Sequence, residues 1–135
     1  MDPLEAMFLF AFCGSLSTAL GDTLSSEIGG LFDDPRLITT FKPVEPGTDG
    51  AVTWQGELAW LAGVVLTGVL ATAVLPLGAP WLAAGIVALG GFTGMTVDSL
   101  LGATVEGGRL GNQWVNFLAT LSGGLTSASV AVWLL

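Results

Sequence analysis

Between Leu58 and Val97 the chain carries no charged side chain, and its one interruption is "PLGAP", Pro76 to Pro80. A membrane-spanning helix needs roughly 20 apolar residues. The stretch is therefore two spans joined by a tight turn with a proline at each edge. No other feature restricts the fold as much. The composition agrees: 10% of residues are charged, where soluble domains carry about 25%. A further span begins near Leu4 and ends in "GDTLSSEIG", residues 21–29, and another runs from about Gln113 to Leu135. The expected architecture is an all-α membrane protein, a single integral membrane domain over 1–135. Its helices fall near 4–30, 57–75, 80–105 and 113–135. A long loop, 31–56, joins the first two.

The N-terminus carries Asp2 and Glu5, whereas a secretory signal needs a basic start. The single cysteine, Cys13, excludes an internal disulfide, and the absence of histidine excludes imidazole catalysis. The net charge of −8, with no basic cluster, argues against a nucleic-acid partner. The only basic residues are Arg36, Lys42 and Arg109. They fall in the first and third connections, which share one side of a four-span protein. The positive-inside rule places that side in the cytoplasm and both termini outside. Tryptophans near the helix ends fit interfacial positions on both sides.

Carboxylates are costly inside a membrane and point to function. Asp22 and Glu27 end the first span. Asp98 lies about 25 Å below Trp81 at ~1.5 Å per residue, near the same face. Asn112 and Asn116 open the fourth span at that level and, four apart, share a helix face. On the third span Gly90, Gly94, Asp98, Gly102 and Glu106 recur every four residues, and small-residue stripes of this kind let helices approach closely. The first and fourth spans carry similar stripes. The pattern predicts three helices around a polar pocket open to the cytoplasm.

The loop "LFDDPRLITTFKPVEPGTDGAVTWQG" is too long for a simple hairpin connection. Lys42 offers a point charge and Arg36 a planar fork for phosphate. Thr39, Thr40 and Thr48 offer hydroxyls, and Gly47 and Gly50 let backbone amides turn toward an anion. The spacing is not that of a P-loop. Carboxylates beside such a loop suit Mg²⁺, which takes one or two of them together with substrate phosphates. The layout suits phosphoryl transfer, in which catalysis is positioning and charge neutralisation. On this reading Asp22, Glu27 and Asp98 are the metal ligands and Lys42 the neutralising cation. Arg36 and the threonines bind phosphate. Asn112 and Asn116 orient the acceptor, and the lipid tail lies between helices at the glycine-lined faces.

The segments "GDTLSSEIG", "PRLITTFKPVEPGTDGAVTWQGELA", "GMTVDSLLGATVEG" and "NQWVNFLATLSGG" together resemble the blocks of the domain-of-unknown-function 92 family. That integral-membrane family includes transmembrane protein 19 and the plant phytyl-phosphate kinase. The resemblance runs from roughly Ser15 to the C-terminus. It implies transfer of phosphate from a nucleoside triphosphate, CTP favoured, to a phytyl or other isoprenoid monophosphate. It adds Ser99 to the substrate-binding set. It also implies further helices ahead of this region. A fragment, a split gene product, or a minimal form that completes its pocket as a homodimer is therefore expected. Two other readings remain open: a transporter or ion pathway using Asp98, and a non-catalytic membrane subunit.

Overall fold

A computed structural model describes residues 2–75, 79–105 and 110–134. Four helices dominate it: α1 (Pro3–Gly29), α2 (Trp54–Val74), α3 (Pro80–Thr104) and α4 (Asn112–Leu134). Each is long and apolar enough to cross a membrane. Their starts have local causes. Asp2 caps α1, its side chain accepting from the Leu4 amide at 3.3 Å, with Pro3 in the first turn. Thr53 caps α2 by accepting from the Gly56 amide at 3.1 Å. Pro80 opens α3, where a missing N–H is no loss. The observed ends agree with the expected spans to within a turn. The "PLGAP" turn falls largely outside the described residues.

The bundle is built with large apolar groups outside and small ones inside. Leu4, Phe8, Phe12, Leu61, Leu66, Leu70, Leu89 and Leu125 are exposed. Water would not tolerate that surface, but lipid does. Trp81 and Trp133, 82% and 84% exposed, ring one end of the bundle, and Trp54 and Trp114 stand exposed at the other. Such aromatic belts mark the two membrane interfaces.

α1 packs against the other three helices, and α3 packs against α1, α2 and α4. Their shared seam is filled by backbone and by the short buried side chains of Ser17, Thr18 and Ser127. A Cβ added at Gly14 would come within 2.6 Å of the Gly123 carbonyl oxygen, and one at Gly90 would meet the same oxygen at 2.6 Å. Backbones therefore touch where α1, α3 and α4 meet. Ser127 fixes the junction by donating to the Ile86 carbonyl at 3.1 Å, and Ser15 donates to the Thr120 carbonyl at 2.9 Å. Toward the Trp81 end, Phe10, Leu75, Ile86 and Val87 fill the core.

The loop between α1 and α2 folds back over the end of α3. Strands β1 (Arg36–Leu37) and β2 (Ala51–Val52) pair antiparallel. The Ile38 amide donates to the Gly50 carbonyl at 3.1 Å. Gly50, at φ 74°, lies directly against Ala103 of α3. No side chain fits there, so glycine at this position decides where the loop lands.

Candidate functional site

At the loop end of the bundle, α1, α3, α4 and the loop enclose a cleft of about 430 Å³, lined by Asp22, Ser26, Asp49, Gly50, Asp98, Asn112 and Asn116. It is contiguous through Asp22, Asp98 and Asn116 with a chamber of about 150 Å³ deeper in the bundle, whose wall adds Thr18, Thr23 and Thr120. The chamber ends where the glycine seam closes. A Cβ on Gly94 would come within 2.8 Å of the Ala119 carbonyl oxygen.

Helical geometry explains which side chains arrive. At roughly 100° per residue, Ser26 lies only about 40° around α1 from Asp22, whereas Glu27 lies about 140° away. Ser26 accordingly lines the cleft. Glu27 is exposed and lines neither cavity. On α3 the same step carries Ser99 away from Asp98, into a separate groove between α2 and α3. Asn112 and Asn116 do reach the cleft. Asp22, Asp98, Asn112 and Asn116 thus converge from three helices. Glu106 and Arg109 lie outside the described residues.

The loop contributes differently from its composition. Gly50 lines the cleft. Arg36 instead holds the loop together, its guanidinium donating to the Phe41 carbonyl at 3.0 Å. That bond secures Phe41 at φ 55°, a conformation few non-glycine residues adopt. The Thr48 hydroxyl donates to the Glu45 carbonyl at 2.6 Å and closes the turn around Gly47. Lys42, Thr39, Thr40 and Thr48 are exposed and line no described cavity. The residue that composition overlooked is Asp49, which the Gly50 contact with Ala103 brings to the cleft. Its signal was the "TDG" next to Gly50, legible as a turn but not as a ligand.

The donor set is all hard oxygen. Thr18, Thr23 and Thr120 each donate their hydroxyl proton to a carbonyl of their own helix, at 2.9 to 3.1 Å, and so present lone pairs to the chamber. Ser26 likewise donates to the Asp22 carbonyl at 2.8 Å. Carboxylate, amide and hydroxyl oxygens together suit a hard cation such as Mg²⁺ or Ca²⁺. Among the described residues no three acidic or thiol side chains come close enough to hold one metal by themselves. The triad Asp22, Glu27 and Asp98 therefore does not assemble, because Glu27 points elsewhere. Asp22 and Asp98 remain, a number that suffices for Mg²⁺ when substrate phosphates and water complete its shell.

Fold and cleft together define a class: a multi-pass integral membrane protein with a polar, oxygen-lined site at one interface. More particularly, the chain belongs to the integral membrane protein family DUF92, whose pattern matches residues 2–124. It is 41% identical over 125 residues to an uncharacterized membrane protein of Methanocaldococcus jannaschii, covering 87% of this chain and 49% of that protein. It is 42% identical over 112 residues to Protein PGR of Arabidopsis thaliana, covering 69% and 36%. A shorter similarity, 45% over 56 residues, is to Protein VTE6, chloroplastic, of the same plant, covering 41% and 17%. The chain spans about half the length, or less, of these curated relatives. No solved structure matches it.

Proposed function

We propose that the cleft binds the phosphates of a nucleoside triphosphate and of a membrane-embedded isoprenoid monophosphate, and that the protein transfers a phosphoryl group between them. The observation that carries this reading is the convergence of Asp22, Asp98, Asn112 and Asn116 from three helices onto one 430 Å³ cleft at the membrane interface. An amphiphile presents its phosphate at that depth. The resemblance to a family that includes the plant phytyl-phosphate kinase supports an isoprenoid acceptor, and CTP is the donor in this proposal.

In the reaction, an oxygen of the acceptor monophosphate attacks the terminal phosphorus of the nucleotide. The new P–O bond forms as the bond to the nucleoside diphosphate breaks, and the diphosphate takes the electron pair. The nucleophile is already anionic, so no general base is needed. Asn112 and Asn116, at the mouth of α4, donate amide hydrogens to the acceptor phosphate and set its line of approach. Asp22 and Asp98 would hold Mg²⁺, which would supply neutralisation of the triphosphate charge that carboxylate-lined walls otherwise repel. The glycine seam excludes water from the far side. The lipid tail would lie outside the glycine faces, because neighbouring backbone and the Thr18 and Ser127 side chains fill the space at Gly14, Gly90, Gly94 and Gly123.

The loop end faces the cytoplasm in this proposal, on the positive-inside argument. A transport pathway through the bundle is disfavoured, because the junction of Gly14, Gly90 and Gly123 blocks the route beyond the chamber. The deciding assay uses purified protein with Mg²⁺, labelled CTP or ATP, and phytyl, geranylgeranyl or farnesyl monophosphate. Labelled diphosphate product is expected. No transfer to any acceptor, under conditions where a longer relative is active, overturns catalysis by this chain.

A further inference from the structure

A second cavity, of about 200 Å³, lies on the opposite side of α3, lined by Ile38, Glu57, Trp60, Phe92, Met95, Thr96 and Ser99. It shares no residue with the phosphate cleft. Its α3 residues 92, 95, 96 and 99 follow the three- and four-residue spacing of one helix face. Trp60 and Phe92 form its deep end, their ring centroids 5.6 Å apart. Phe92 is exposed toward the lipid, so the groove opens sideways into the bilayer.

Polarity is graded along it. Glu57, in the first turn of α2, and Ser99, late in α3, lie toward the loop interface. Trp60, Phe92 and Met95 lie deeper. An amphiphile has the same gradient. The volume is below the roughly 300–1,000 Å³ of drug-sized pockets, which favours a single chain over a two-tailed phospholipid. At the head end the charge is that of Glu57, beside the Ser99 hydroxyl, which can donate or accept. Glu57 offers carboxylate oxygens. Thr96 donates its proton to the Phe92 carbonyl at 2.9 Å and so offers lone pairs. Among the described residues the only charged side chain lining the groove is the carboxylate of Glu57, so a phosphate head would be repelled.

We infer that this groove between α2 and α3 binds a single-chain lipid whose head donates hydrogen bonds and carries no negative charge, a long-chain alcohol or amine. The head bonds to Glu57 and Thr96, and the chain lies against Trp60, Met95 and Phe92. Met95 suits the task, since its flexible thioether adapts to an irregular chain. The site is separate from the phosphate cleft and does not depend on phosphoryl transfer.

The test is photolabelling of the whole chain in phosphatidylcholine nanodiscs with a long-chain alcohol carrying a mid-chain diazirine, read by peptide mass spectrometry. Saturable labelling is expected on the peptides containing Trp60, Phe92 and Met95. Unlabelled alcohol or amine of the same length should compete, and the matching phosphate should not. Glu57→Leu should weaken labelling about tenfold or more, the loss expected for a hydrogen bond to a charged group. Glu57→Gln should keep alcohol binding and lose the amine. Met95→Trp should block labelling by filling the groove. If that variant does not fold, the Glu57 pair decides. Equal labelling by a diazirine phosphatidylcholine, equal competition by the phosphate, or indifference to Glu57→Leu overturns the inference.

Discussion

The two halves of the α1–α3–α4 interface use the same small and polar residue types to opposite ends. Around Gly14, Gly90, Gly123 and Ser127, each small residue meets a neighbouring backbone and the helices close. About two turns toward the loop, Asp22, Asp98 and Asn116 stand at equivalent stripe positions, and the helices part around a chamber and a cleft. A stripe of small residues therefore does not define a pocket. The closed half acts as a clamp that holds α1, α3 and α4 at a set distance, and the open half is what that distance leaves between longer polar side chains.

Substitutions can break this contrast from either side. The largest effect is expected at the open half. Asp98→Asn and Asp22→Asn should each lower phosphoryl transfer by about 10²-fold or more, the size typical of losing a positioned electrostatic group. Thermal stability of Asp22→Asn in detergent should change little. Full turnover in either variant would remove that residue from the metal site. At the closed half, Gly90→Leu should cost roughly 1–3 kcal/mol or more by overpacking, read as a lower melting temperature, with activity lost through misfolding. If Gly90→Leu stayed as stable as the parent, the seam would not be closed. Ser127→Ala removes an interhelical hydrogen bond to the Ile86 carbonyl. It should cost about 0.6 kcal/mol, the average for such bonds in membranes, and leave transfer unchanged. The smallest effect belongs to the exposed loop. Lys42→Ala should change transfer by less than about threefold, since a solvated charge contributes little. A large loss there would return Lys42 to the phosphate site.

The fold was legible in the sequence because lipid imposes few solutions. Uncharged runs of helix length, with the prolines that edge the "PLGAP" turn, mark the helices without reference to distant residues. Part of the site was legible for a similar reason. Once the four helices cross the membrane in alternating directions, their rise alone brings Asp22, Asp98 and Asn116 to one level. Level is not direction, however. Glu27 and Ser99 share the depth of their neighbours but are turned off the cleft by the helical step. The loop was least legible, because its course depends on nonlocal contacts. The bond from Ile38 to Gly50 and the seat of Gly50 on Ala103 swing Asp49 inward and leave Lys42 outside. The groove around Glu57 likewise exists only once α2 and α3 pack.

The central claim, that Asp22 and Asp98 hold a divalent cation together with nucleotide phosphates, is tested most directly by electron paramagnetic resonance of Mn²⁺ in place of Mg²⁺. The parent protein should bind Mn²⁺ weakly alone and at least about tenfold more tightly with CTP or ATP present, since phosphates complete the shell of such ions. Asp98→Asn should abolish that gain. Mn²⁺ binding that ignores the nucleotide, or is unchanged in Asp98→Asn and Asp22→Asn, would contradict the account.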